Sequence, residues 1–208
     1  MITLESLPSP VLDHSALVGM LHEYARPNDK ISELIAAQAL VPLKRGLYLI
    51  TSSKQAAKEL IANHLHGPSY VSRQWALAYY GLVSERVSVV TSMCLGRSRQ
   101  IETRRGVFHY QAVPPAYYAA GIYSIQQSKI AFMMASPEKA LADWLVSTRH
   151  LRIQSTSAMH TFLEDDLRLN KDDLTQLDTA QLSCFAKLGY KATMLSCLAR
   201  AIEQFAHD

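Results

Sequence analysis

Asn28-Asp-Lys-Ile-Ser-Glu-Leu-Ile-Ala-Ala-Gln-Ala-Leu-Val-Pro-Leu-Lys-Arg-Gly-Leu-Tyr-Leu-Ile50 changes its apolar period part-way along. Up to Gln38 the repeat is helical, with Ile31, Leu34, Ile35 and Gln38 on one face. Asn28 or Asp29 is placed to cap that helix, because a side-chain oxygen there accepts the first free backbone N–H groups. From Val41 the period shortens. Val41–Ile50 is expected to form two short strands turning at Lys44-Arg45-Gly46, where glycine tolerates a positive φ. Upstream, Leu12, Ala16, Leu17, Met20 and Leu21 repeat near helical spacing until Ala25-Arg26-Pro27-Asn28 breaks the pattern. Two helices, a break between them and a basic hairpin outline a winged helix-turn-helix over residues 1–60.

Downstream, Ser52 or Ser53 is expected to cap a helix that carries Ala57, Leu60, Ile61 and Leu65 inward. His66-Gly-Pro-Ser69 is a break, so a domain boundary falls between Thr51 and Ser69; we take residues 61–208 as the second domain. There, Ser72 opens a short helix through Trp75, Ala78 and Tyr79, closed by Gly81. Strands are expected at Val87–Met93, at Arg99–Thr103 paired with Val107–Val113, and at Gly121–Ile125 and Lys129–Met134. Ser136-Pro-Glu138 is a helix start with an N-cap, proline at the first position and an acid facing the dipole. Ala140, Leu141, Trp144 and Leu145 give that helix its buried stripe. Beyond His150 the chain reads as helices, with Asn170 and Asp178 as caps and Met194, Leu198, Ile202 and Phe205 as a final apolar stripe. The expected fold class is α+β: an N-terminal winged helix-turn-helix, then a mixed α/β domain with a helical C-terminal tail.

The chain has 208 residues, 49% apolar and 19% charged. Those fractions exclude a globally disordered or collagen-like chain. Apolar runs such as Ile130–Ala135 fall far short of the roughly 20 residues that cross a bilayer. The first residues lack the basic and apolar regions of a secretory signal. Cys94, Cys184 and Cys197 are odd in number and show no CxxC spacing, against a disulfide framework or a structural zinc site. A cytoplasmic, reduced protein is expected.

The net charge of +3 is unevenly spread. Residues 1–60 balance six Lys/Arg with six Asp/Glu, residues 61–150 carry nine against four, and residues 151–208 carry six against eight. A basic middle suits a polyanion or an acidic partner.

Lys44 and Arg45, at the hairpin tip, stand where DNA phosphates would be met. The second helix turns Asp29, Ser32, Glu33 and Ala36 outward, with Lys30 at the edge, so it is poor in base-reading side chains. Affinity for DNA would lean on Lys30, Lys44 and Arg45. Arg97, Arg99, Arg104 and Arg105, with Arg73 and Arg86 nearby in sequence, form a second possible basic surface for phosphates or an acidic protein. His64-Leu-His66 falls at a helix end with no completing carboxylate, and Asp165-Asp166 and Asp172-Asp173 lack the spacing of a calcium loop, so no metal is expected. Cys94 reads as a buried thiol. P-loop, GxGxxG, GxSxG and HExxH motifs do not occur, so neither catalysis nor a cofactor is expected. Two rivals stay open: a protein-interaction module, and a metal-dependent nucleic-acid enzyme built on the paired acids.

Several stretches together resemble the AbiEi-type antitoxins. Leu40-Val-Pro-Leu-Lys-Arg-Gly-Leu-Tyr48 resembles that family's wing, and Tyr70-Val-Ser-Arg-Gln-Trp-Ala-Leu-Ala-Tyr-Tyr-Gly-Leu-Val83 its tyrosine–X–serine helix. Val89-Val-Thr-Ser-Met93, Gly106-Val-Phe-His-Tyr110 and Ala135-Ser-Pro-Glu-Lys-Ala-Leu-Ala-Asp143 continue the same order, over about residues 10–150. The resemblance implies a DNA-binding regulator that represses its own operon and counteracts a nucleotidyltransferase toxin of a type IV pair without a stable complex. It carries over Lys44, Arg45 and Tyr48 in the wing and Ser32 in the preceding helix.

Overall fold

The computed structural model describes residues 9–51 and 57–207. Its first elements are β1 (Val11–Asp13), α1 (His14–Met20), α2 (Pro27–Ala36), β2 (Leu40–Lys44) and β3 (Leu47–Ile50). Asp13 ends the strand and starts the helix, its carboxylate accepting from Ala16 N at 2.7 Å. Leu12, read as helical, therefore lies in a strand. α2 begins at Pro27 behind Arg26, not at Asn28 or Asp29, and no side chain caps it. Proline supplies a pre-set φ and lacks the N–H that a cap would satisfy. Gln38 lies beyond the helix end, exposed at φ 57, and is no part of the inward face.

The three strands pair antiparallel in the order β1-β3-β2. β2 is an edge strand, where Pro42 is tolerated, and its register shifts between Pro42 and Lys44. Alternation gives the sheet two apolar faces. Leu12, Leu40 and Ile50 close a small core with Leu17, Leu21 and Ile31 of the helices. Val11, Leu43, Leu47 and Leu49 face the other way and belong to the main core. The sheet β1-β3-β2 thus contributes side chains both to the small core and to the main core.

The main body holds α3 (Lys58–Leu65), β4 (Ser69–Val71), α4 (Arg73–Tyr79), β5 (Val90–Cys94), β6 (Arg99–Thr103), β7 (Gly106–Ala112), α5 (Pro115–Tyr118), β8 (Ile122–Gln127), β9 (Ile130–Ala135) and α6 (Pro137–Ser147). Ser52 and Ser53, the expected caps of α3, lie outside the described residues. Six strands form one mixed sheet in the order β6-β7-β5-β4-β9-β8. β5 starts at Val90 rather than Val87, because the preceding residues run along the surface. Its five residues are all buried, as a central strand covered on both faces must be. Trp144, expected in the buried stripe of α6, is half-buried.

The tail comprises α7 (Thr156–Thr161), a π-helical turn over Phe162–Asp166, α8 (Lys171–Leu174), α9 (Thr179–Lys187) and α10 (Ala192–Phe205). Asn170 and Asp178 cap α8 and α9 as read, and Met194, Leu198, Ile202 and Phe205 are buried. The class is mixed α+β. None of the described helices is long and apolar enough to cross a membrane.

Candidate nucleic-acid interface

The hairpin tip does not project freely. His14 N donates to Gly46 O at 2.9 Å, which ties the turn to the start of α1. Gly46 holds φ +76, a conformation that glycine adopts without a steric cost. Lys44 Nζ turns back and donates to the carbonyl oxygens of His64 and Leu65, at the C-terminus of α3. Those oxygens carry the negative end of the helix dipole, so the ammonium is at home there. Arg45 is exposed and makes no hydrogen bond or ion pair among the described residues. Tyr48 is half-buried, packed against the small core with its ring centroid 6.3 Å from that of His14.

On α2, Lys30 Nζ pairs with Glu33 at 2.8 Å and lies 5.4 Å from the ring centroid of Tyr24. Its pKa is raised, first by the hydrogen bond to Glu33 and then by that carboxylate's charge. Ser32 is exposed and donates to Asn28 O at 3.0 Å, one helical turn back. Arg26 and Asp29 form a looser pair at 3.7 Å. The outward face of the second helix is therefore close to neutral, whereas Arg45 at the hairpin tip has no ion pair among the described residues.

The structure divides the middle-domain arginines into three places. Arg104 and Arg105 sit in the β6–β7 turn, exposed, and the Lys58 ammonium lies beside Gly106 of that turn. Arg97 and Arg99 are exposed at the opposite end of β6, roughly 17 Å away for five residues of strand. Arg73 is not on this surface. It is largely buried at φ 59, with Nη1 3.2 Å from His109 Nδ1.

The remaining candidates stay apart. His64 is exposed, with its pKa lowered first by partial burial and then by Lys44; His66 packs edge-on against Tyr110 at 5.1 Å between centroids. Asp165 and Asp166 lie exposed in the π-helical turn, and Asp172 and Asp173 in the first turn of α8. Among the described residues no three His, Cys, Asp or Glu side chains come together as a metal set. Cys94 is buried, and burial pushes its thiol pKa up.

Sequence reading missed a polar cluster inside the main core. Lys139 and Asp143 are fully buried on α6, with Lys139 Nζ 3.2 Å from Asp143 Oδ1. Lys139 also donates to Tyr117 O at 2.9 Å and lies 3.1 Å from that ring's centroid. Asp143 Oδ2 accepts from Ser72 Oγ at 2.6 Å, so the hydroxyl expected to cap α4 is spent on α6. The Tyr70 and Tyr117 hydroxyls are buried beside Asp143. Burial pushes the Lys139 pKa down to about 8, against the pull of Asp143. An i, i+4 Lys/Asp pair on a helix reads as a solvated surface pair, and only packing by elements distant in sequence, among them Tyr70 of β4, Tyr117 of α5 and Phe185 of α9, buries it.

No family model matches the chain. No curated protein matches it. Among solved structures, the crystal structure of RV2827C protein from Mycobacterium tuberculosis is similar, with a TM-score of 0.53 at 13% identity. The match covers 99% of this chain and 80% of that one. At that identity the likeness is one of fold.

Proposed function

We propose that the chain is a non-enzymatic, DNA-binding transcriptional regulator whose first 60 residues act as a winged helix-turn-helix. The observation that carries this reading is the order strand, helix, helix, hairpin, closed into the sheet β1-β3-β2 with an arginine at the hairpin tip that has no partner among the described residues. In a winged helix the second helix enters the major groove and the hairpin meets backbone phosphates. On this reading Arg45 is the principal phosphate contact of the wing. Ser32 and Lys30 approach DNA from α2, and Arg104, Arg105 and Lys58 extend the positive surface. The motif resemblance to AbiEi-type antitoxins supports a cytoplasmic regulator of its own operon that opposes a nucleotidyltransferase toxin without a stable complex.

A second reading has its own support. Lys30 is paired with Glu33 and Lys44 is turned onto α3, which leaves Arg45 as the free cation of the hairpin among the described residues and suits contact with an acidic protein. A reporter fused to DNA upstream of the gene separates the two. The regulator reading expects repression by the wild-type protein, weakened about tenfold or more by Arg45→Ala, the effect of removing one charged interaction. Lys44→Ala is expected to lower Tm and leave repression by the folded protein unchanged. Full repression by Arg45→Ala would remove the wing from DNA contact and favour the protein-binding reading.

A further inference from the structure

A cleft of about 490 Å³ opens between α4, the 83–89 segment and α6. That volume is in the range of small-molecule sites. Its lining combines three cationic or titratable side chains, Arg73, Arg86 and His109, with the half-buried Trp144 and the apolar Val83 and Val87. Glu85 is the one acid among the lining residues, and it is exposed at the rim.

Two of the lining residues hold unused polar atoms. Arg73 Nε and Gln74 Oε1 are buried and have no hydrogen-bond partner among the described residues. Orphaned buried groups are uncommon because each forfeits its hydration without return. Here a donor and an acceptor on successive residues are both orphaned, and both residues line the same cleft. Arg73 also holds φ 59, which side-chain-bearing residues rarely adopt and which tends to be found at functional sites. Its Nη1 is anchored on His109 Nδ1 at 3.2 Å, which fixes the guanidinium. His109 has its pKa lowered by burial and then by Arg73 and Arg149, so it presents a neutral ring to the arginine.

We infer that this cleft binds a small molecule carrying an oxyanion, phosphate or carboxylate, beside a planar body. Arg73 and Arg86 meet the oxyanion, a charge-assisted contact that suits the planar fork of arginine. Trp144 with Val83 and Val87 covers the planar part. The site uses none of the residues that the proposed function places on DNA and stands or falls without that reading.

Calorimetric titration of the full chain with inorganic phosphate, adenosine monophosphate and benzoate tests it. The expected result is saturable one-to-one binding of at least one probe, weakened about tenfold or more in Arg73→Gln and in Arg86→Gln, the effect of removing one charged hydrogen bond. Arg86 is exposed, so Arg86→Gln keeps the wild-type Tm and remains decisive if Arg73→Gln does not fold. Binding of the phosphate probes alone assigns a phosphoester, and binding of benzoate alone a carboxylate. Failure of all three probes to saturate, or wild-type affinity in both variants, overturns the site.

Discussion

Lys139 and Asp143 stand one helical turn apart on α6, where a sequence reader sees an exposed ion pair, yet both side chains are fully buried. Ion pairs of this kind gain little over apolar residues when intact, but breaking one strands a charge in a medium that cannot solvate it. Asp143→Asn is therefore expected to cost about 3–5 kcal/mol in chemical denaturation. Lys139→Met combined with Asp143→Asn should recover most of that loss. The same pair gives a pH signature. Burial lowers the Lys139 pKa from 10.5 to about 8, so between those values the unfolded chain binds the extra proton and stability rises with pH. Between pH 8 and 9 the rise is about 1 kcal/mol, and the double variant should lack it. The buried Tyr70 and Tyr117 act in the opposite sense, their raised pKa values costing stability only as pH climbs past 10.

At the scale of elements, the hairpins were legible because their signals are local. Lys44-Arg45-Gly46 and Arg104-Arg105-Gly106 each set a turn between strands that pair with each other. Caps at Ser136, Asn170 and Asp178 were legible for the same reason. β1 and β4, at three residues each, carry no period to detect, and the parallel pairing of β5 with β7 and of β4 with β9 is decided by contacts distant in sequence. The junction of β8 with α6 shows how tightly those contacts are set. Gly121 holds φ +68, and a Cβ there would lie 2.7 Å from Phe185 Cζ and 2.9 Å from Lys139 Cβ. Gly121→Ala is expected to lower stability by about 2 kcal/mol or more, read as a shift of the urea midpoint at unchanged m-value, whereas an alanine tolerated at wild-type stability would contradict this packing.

The whole molecule ties its N-terminal unit down. One face of the sheet β1-β3-β2 closes on its own helices, the other on the main core through Val11, Leu43, Leu47 and Leu49, and Lys44 pins the hairpin to α3. A fragment ending at Thr51 would expose that second apolar face. It should lack the dispersed amide spectrum of a folded domain, and the full chain should melt in one transition. A folded, soluble fragment would show the two units to be independent. The second helix and the hairpin were readable from residues 28–50; where the hairpin's charges go was not, because it depends on where α3 lies.

The regulator account is tested most directly by fluorescence anisotropy with DNA from upstream of the protein's own gene, beside scrambled DNA, across a salt series. Selective binding that weakens steeply with salt, with a shallower salt slope for Arg45→Ala, is the predicted result, since a protein that neutralises fewer phosphates releases fewer counterions. No binding near physiological salt, or equal binding to both DNAs, would contradict it.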